Sequence, residues 1–205
     1  KTLSVLDRAA TMLRARGVEV EWATLPMDDP AVYKLIAEGD TVGVFQFESE
    51  GMRRALSQVR PDCFADIVAL GALYRPGPMG MNSHTNYALR KNGLQEVDSV
   101  HEELSESLSE VLDPTYGLIV YQEQVMAIAQ KVAGFSLGRA DLLRKAMGKK
   151  NKEILDKEYV PFEAGMKANG FSTGAITRLW DVLIPFSDYA FNRAHSAGYG
   201  VVSFW

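Results

Sequence analysis

The chain has 205 residues and a formal net charge of -4, with 47% hydrophobic and 23% charged residues. This composition is typical of a soluble globular protein, and a pI near 5.5 argues against a protein whose whole surface binds nucleic acid. The single cysteine, Cys63, excludes an internal disulfide, and the unsuitable spacing of this cysteine and the three histidines argues against a structural zinc site. Because the sequence shows neither a signal peptide nor an apolar run of roughly 18 residues, we expect a cytoplasmic protein without a membrane partner.

The N-terminal 47 residues are predicted to be a small α/β piece. Apolar residues at helical spacing predict a helix over residues 2–16. Asp28-Asp29-Pro30 predicts the start of a second helix, since an acid followed by proline is typical of a first helical turn. Short runs rich in valine and aromatic residues predict strands over residues 18–22 and 41–47.

From residue 48 onward the chain is predicted to be helical almost throughout. We expect breaks in the helices at Arg75-Pro76-Gly77-Pro78 and a kink or break at Pro161, because proline lacks the amide hydrogen of a helical residue. An extended segment is predicted over residues 118–121. The predicted helices cover residues 49–59, 61–74, 81–92, 101–112, 122–132, 136–147, 152–167, 172–186 and 192 onward.

A local concentration of positive charge follows Ser136. Between Arg139 and Lys152 there are six basic residues and one acid, Asp141, on a chain that is acidic overall. Such a patch favours an anionic ligand, although a solvated helix end that complements the helix dipole is an alternative. The patch is not a Walker phosphate loop, because Leu143 stands where the first glycine should be and Lys150 replaces the serine or threonine.

A second informative stretch is Asn192-Arg193-Ala194-His195-Ser196-Ala197-Gly198-Tyr199. It adds a cation, a histidine and small residues that let a ligand approach the backbone, so the two stretches together indicate a site for a phosphorylated molecule. The His195 side chain could serve as an acid, a base or a steric wall, and a structural role is an equal alternative. Arg75, held by neighbouring prolines, suits phosphate oxygens or simply marks a helix end.

Five segments carry a resemblance to a known family. In order, they are GVFQFES (43–49), ALYRPGPMG (72–80), PTYGLIVYQEQVM (114–126), LRKAMGKK (143–150) and FNRAHSAGY (191–199). The set resembles the C-family replicative DNA polymerases of bacteria, the DNA polymerase III alpha subunits. The resemblance implies that residues 1–47 form the trailing edge of the polymerase palm and that residues 48–205 form a helical fingers domain. The absence of an initiator methionine and the apolar end of the chain agree with a segment truncated at both ends.

The resemblance also implies an activity and its residues. It implies nucleotidyl transfer from a dNTP to a primer during DNA replication, with catalytic aspartates and Mg²⁺ ligands outside this chain, which alone would be inactive and bind no metal. The residues that match the family's phosphate-binding positions are Arg144, Lys145 and Lys149. The residues that match its pocket around the sugar and the base are His195, Asn192, Arg193, Ser196 and Tyr199. The weaker candidates are Arg75, Gln122 and Lys150.

The expected partners are primer-template DNA, dNTP, the rest of the polymerase chain, and a sliding clamp and other replisome subunits through regions outside this segment. A main replicase and an error-prone paralogue fit the sequence equally well. The alternative function is a non-catalytic helical module that binds nucleic acid or protein. The absence of a metal-binding carboxylate set and the many amphipathic helices favour that alternative.

Overall fold

The computed structural model describes residues 2–148, 152–187 and 189–205. Within these ranges the chain is mainly helical, as predicted, with twelve α-helices and three short 3₁₀ helices (Trp22–Thr24, Glu102–Leu104 and Asp113–Thr115). None of the helices in this part of the chain has both the length and the apolar character that a membrane crossing requires. The α-helices are α1 (Thr2–Arg14), α2 (Pro30–Ala37), α3 (Glu50–Val59), α4 (Phe64–Leu73), α5 (Pro76–Gly80), α6 (Ser83–Lys91), α7 (Ser105–Leu112), α8 (Gln122–Ala133), α9 (Leu137–Gly148), α10 (Lys152–Ala168), α11 (Thr173–Ser187) and α12 (Arg193–Phe204).

Several helices begin at side chains that the sequence marks as caps. The Asp29 carboxylate accepts a hydrogen bond from the Ala31 N–H at 2.8 Å, and the Ser49 hydroxyl accepts one from the Met52 N–H at 3.3 Å. Each cap satisfies an amide that the first turn of a helix leaves without a partner. The starts of α2 and α3 are therefore determined locally, before any packing.

The predicted α/β piece at the N-terminus is wrong, because residues 2–47 contain no strand. Residues 41–47 form consecutive turns, in which Gly43 and Gln46 have φ values of 85° and 65°. The Thr41 hydroxyl donates to the Phe47 carbonyl at 2.7 Å and closes the loop. Turn hydrogen bonds thus satisfy backbone groups that a strand would have to pair with a neighbour, and the described chain offers no neighbouring strand.

The prolines affect the helices differently from the prediction. The break after α4 is confirmed, but Pro76 then begins the short helix α5, since proline fits the first helical position. Helix α10 runs through Pro161 without a break, and a kink at this residue stays a prediction. Its neighbours on the buried face, Phe162 and Met166, are fully buried. We attribute the continuity of α10 to this packing, which outweighs the local cost of proline.

Two hydrophobic clusters form the core. The first joins α7 to α11, and the second joins α2, α3, α4, α6 and the end of α12. Residues 118–121 run between the clusters, with Ile119 in the first cluster and Leu118, Val120 and Tyr121 in the second. Ile119 packs on one side and its neighbours pack on the other, so this segment joins both clusters. The boundary between a palm edge and a fingers domain at residue 47 stays a prediction.

Candidate functional site

Two segments distant in sequence meet between the clusters, and we call them the seam: residues 118–122 and residues 189–191. The Phe191 N–H donates to the Val120 carbonyl at 3.0 Å, and the Gln122 N–H donates to the Phe191 carbonyl at 2.9 Å. These bonds form an isolated parallel bridge between Tyr121 and Phe191. The seam therefore fixes the start of α8 next to the segment that leads into α12.

Gln122 connects the seam to the basic helix α9. Its Oε1 atom accepts a hydrogen bond from Arg144 Nη1 at 3.3 Å, and its Nε2 atom donates to the Ala190 carbonyl at 3.4 Å. One side chain thus touches both the cationic stretch and the segment before Asn192. Gln122, a weaker ligand candidate from the sequence, uses both ends of its amide within the protein.

Arg144 and Lys145 share one carboxylate, that of Asp141. Arg144 donates to Asp141 Oδ1 from Nε at 2.9 Å and from Nη2 at 2.7 Å, and Lys145 Nζ lies 2.7 Å from Asp141 Oδ2. The hydrogen bonds from Lys145 and then Arg144 hold the pKa of Asp141 below its ordinary value. Lys149 and Lys150, the other predicted phosphate-binding residues of this stretch, lie outside the described residues.

Two side chains, Asn192 and Glu123, accept hydrogen bonds from the first residues of α12. The Asn192 side chain accepts a hydrogen bond from the His195 N–H at 2.7 Å. The Glu123 carboxylate accepts from the Arg193 N–H at 3.1 Å to each oxygen, and from Asn192 Nδ2 at 3.0 Å. The Arg193 guanidinium lies 5.4 Å from the centroid of the Tyr121 ring. Asn192 and Arg193 are thereby locked to α8.

His195 belongs to a row of aromatic rings along α12. Its ring centroid lies 5.4 Å from that of Phe191 and 4.5 Å from that of Tyr199, and Tyr199 lies 5.4 Å from Phe45. His195 is exposed on this row. A cavity of about 180 Å³ lies beside it and is lined in part by His195, Arg75, Phe191, Ser196 and Tyr199.

Arg75 and Ser196 make contacts within the protein. Arg75 donates from Nη2 to the Tyr189 carbonyl at 2.6 Å and from Nε to the Ala72 carbonyl at 2.8 Å, with its guanidinium 4.3 Å from the Phe191 ring. Burial lowers the pKa of Arg75. Ser196 is buried, and its hydroxyl donates to the Val68 carbonyl at 2.6 Å, which fastens α12 to α4.

The predicted residues fall into neighbouring groups around the seam. Arg144 and His195 are linked through Gln122 and Phe191. Arg193 lines a different cavity of about 550 Å³, together with Tyr121, Glu123 and Lys131. In the part of the chain that is described, neither cavity lining includes Arg144.

Sequence reasoning missed the buried side chain of Gln124. Its Oε1 atom accepts from the N–H groups of Val120 and Tyr121 at 2.8 and 2.9 Å, and its Nε2 atom donates to Thr115 Oγ1 at 2.7 Å and to the Val111 carbonyl at 3.0 Å. Gln124 therefore ties seam residues 120 and 121 to residues 111 and 115. The only sequence signal was its place in the polar cluster at the start of α8.

The described residues do not fit a magnesium site. One group has the spacing of metal ligands, namely Asp62, Cys63 and Asp66. The Lys91 ammonium lies 2.8 Å from Asp62 and 3.4 Å from the buried Asp66, so a cation already neutralises these carboxylates. A thiol and a lysine are also unlike the oxygen set that Mg²⁺ prefers.

Comparison with known proteins gives a consistent result. A family model described as "Bacterial DNA polymerase III alpha subunit finger domain" matches residues 2–170. The chain is 55% identical over its whole length to "DNA polymerase III subunit alpha" of Mycobacterium leprae (strain TN) and covers 18% of that relative. It is 47% identical over its whole length to the protein of the same description from Caulobacter vibrioides, of which it covers 17%. The chain thus spans about one sixth of the curated relatives that it matches.

Proposed function

The chain belongs to the bacterial DNA polymerase III alpha subunit finger domain family, and on that premise we propose that it is the fingers segment of a longer replicative DNA polymerase chain. In that chain it binds the incoming dNTP over primer-template DNA. The catalytic aspartates and the Mg²⁺ that they hold belong to other parts of the longer chain, as do the contacts to the sliding clamp and other replisome subunits. Family membership favours this function over an independent helical binding module.

Arg144, Lys145 and Lys149 are the proposed ligands of the triphosphate, and Lys150 is a weaker candidate. A guanidinium carries five N–H hydrogens, and the described contacts of Arg144 use three of them, which leaves one on each Nη nitrogen. Two such donors match two oxygens of a phosphate group. Fixed cations of this kind stabilise the charge that develops on a transferring phosphoryl group.

His195 is the proposed wall beside the sugar. Its ring is held between Phe191 and Tyr199, so it has a defined position and a bulk that a 2′-hydroxyl would meet. Asn192 and Arg193 orient the start of α12 beneath it. In this proposal the remaining residues of the pocket act by shaping and supporting it; they are Ser196, Tyr199, Arg75 and Gln122.

The observation that carries the proposal is the contact of Gln122 with both Arg144 and the segment before Asn192. It brings Arg144 of the LRKAMGKK motif close to the segment that leads into the FNRAHSAGY motif, although 40 residues separate the two motifs in the sequence. Groups that bind the triphosphate and the sugar of one nucleotide have to lie close together.

We expect His195→Ala, in the full-length polymerase chain, to increase the relative incorporation of ribonucleotides about ten- to hundredfold, because the ring no longer excludes the 2′-hydroxyl. The measurement is the ratio of kcat/KM for a ribonucleotide and the matching deoxynucleotide. His101→Ala, which removes a histidine outside the cavity, serves as the control and should leave that ratio unchanged. An unaltered ratio in His195→Ala would remove the wall role.

A further inference from the structure

We propose that Asp141 is a positioning residue that sets the directions of Arg144 and Lys145 before a nucleotide binds. This inference rests on the proposed function, because it assigns a role toward the same phosphate-binding pair. Asp141 itself touches the two cations and, in the proposal, no part of the nucleotide.

The geometry follows from the helical spacing. Asp141 lies three residues before Arg144 and four before Lys145, and side chains in a helix lean toward its N-terminus. Both long side chains therefore reach back over one turn to the same carboxylate. An acid placed N-terminal to its basic partner at this spacing is the favourable orientation.

Each carboxylate oxygen has its own cation. Oδ1 receives both donors of Arg144, and Oδ2 receives the ammonium of Lys145. Without this bridge, two adjacent positive side chains would repel one another and sample many rotamers. The carboxylate converts them into one ordered pair.

The arrangement leaves room for an anion. The side chains of Arg144 and Lys145 remain 27% and 56% exposed. Arg144 retains one hydrogen on each Nη nitrogen, and the Lys145 ammonium has three hydrogens, of which one faces Asp141. A phosphate can therefore bind on the outer side of the pair while Asp141 stays in place.

The negative charge of Asp141 also repels a phosphate, and this repulsion opposes the gain in nucleotide affinity that comes from ordering the two cations. Its side chain is one-third exposed, at 33%, and both of its oxygens face cations, so solvent and the cations screen that repulsion. Ordering two rotamer-rich side chains costs conformational entropy. Asp141 orders them before the nucleotide arrives, so nucleotide binding does not include that cost. We therefore expect the ordering effect to exceed the repulsion.

The test uses the full-length polymerase chain with Asp141→Asn, at saturating primer-template. We expect the KM for dNTP to rise about three- to tenfold, with kcat reduced less than about twofold. Asp141→Glu keeps the charge within reach of both cations and should bring the KM to within about twofold of the unmodified enzyme. A KM that is unchanged or lower in Asp141→Asn, or equally high in Asp141→Glu, would overturn the positioning role.

The matched control is Glu158→Gln, which removes a carboxylate from Arg139 on the same helix (3.6 Å) and should leave the KM for dNTP unchanged. Circular dichroism and melting of each variant report whether it is folded. Because Asp141 and Glu158 both pair with basic residues of α9, the comparison separates positioning of the phosphate-binding pair from a general effect of charge on that helix.

A double-mutant cycle separates this inference from the proposed function. In an Arg144→Ala background, the effect of Asp141→Asn on KM should shrink to the part that passes through Lys145. If Arg144→Ala alone raises KM but Asp141→Asn adds the same factor in both backgrounds, the positioning role is wrong and the proposed function stands. If Arg144→Ala leaves KM and kcat unchanged, the proposed function itself fails.

Discussion

Arg144→Ala in the full-length polymerase chain is expected to lower kcat/KM for dNTP by about 100- to 10,000-fold. In the proposed role Arg144 makes two charge-assisted hydrogen bonds to phosphate, each worth about 1.5–3 kcal/mol, and 1.4 kcal/mol corresponds to a factor of ten. The variant also loses the contact with Gln122, while Lys145 keeps its carboxylate partner Asp141 and is the one cation of the pair that remains. We expect both a higher KM and a lower kcat, because the phosphate charge is greatest in the transition state.

The matched control for this experiment is Arg139→Ala on the same helix. Arg139 pairs with Glu158 at 3.6 Å and lies over the Phe135 ring at 4.9 Å, on contacts that do not involve the seam. Steady-state and single-turnover measurements with one dNTP should show a small change in this control. Equal values of KM and kcat in Arg144→Ala and the unmodified enzyme would contradict the assignment of Arg144.

Gln124→Leu is expected to lower the free energy of unfolding of this chain by about 3–5 kcal/mol. The substitution leaves the N–H groups of Val120 and Tyr121 buried without an acceptor, and each such group costs about 1–3 kcal/mol. It also removes the donors to Thr115 and to the Val111 carbonyl. Leucine has a similar size, so the effect arises from hydrogen bonding more than from lost volume.

Urea unfolding followed by circular dichroism measures this change, and amide hydrogen exchange locates it. The amides of Val120 and Tyr121 should exchange faster in the variant than those of α3. Gln130→Leu, on the same helix but half-buried at the edge of a cavity, is the control and should change the free energy by less than about 1 kcal/mol. A loss that small in Gln124→Leu would show that the seam does not depend on this side chain.

Most of the helices could be predicted because their determinants are local. Asp29 and Ser49 predict the starts of α2 and α3, and in the structure their side chains accept the expected hydrogen bonds from backbone amides. Apolar periodicity then gives the buried faces, since the helical repeat alone determines which residues share a face. Such signals need no knowledge of distant residues.

The errors arose where packing or turns override local pattern. The apolar run at residues 41–47 resembles a buried strand, yet Val42 is 73% exposed and Thr41 is buried. Pro161 predicts a kink or break in α10, but the helix continues through it, and the fully buried Phe162 and Met166 anchor the part that follows. A single sequence does not reveal which neighbours a segment will find, so neither outcome was readable from residue types.

The site was predictable to different degrees. The charge of Arg144 and Lys145 and their spacing from Asp141 are visible in the sequence, and the ion pairs follow from helical geometry. The contacts of Gln122 with Ala190 and of Glu123 with Arg193 join residues about 70 positions apart, and no local rule indicates them. Sequence therefore supplied the candidate groups, and the seam that brings them together required the structure.

The most direct measurement is a structure of the full-length polymerase chain with primer-template DNA and a non-reacting dNTP analogue. We predict that the Nη atoms of Arg144 lie within hydrogen-bond distance of the triphosphate, while the His195 ring contacts the sugar of the same nucleotide. A bound nucleotide that touches one of these residues and leaves the other facing solvent, away from it, would contradict the account.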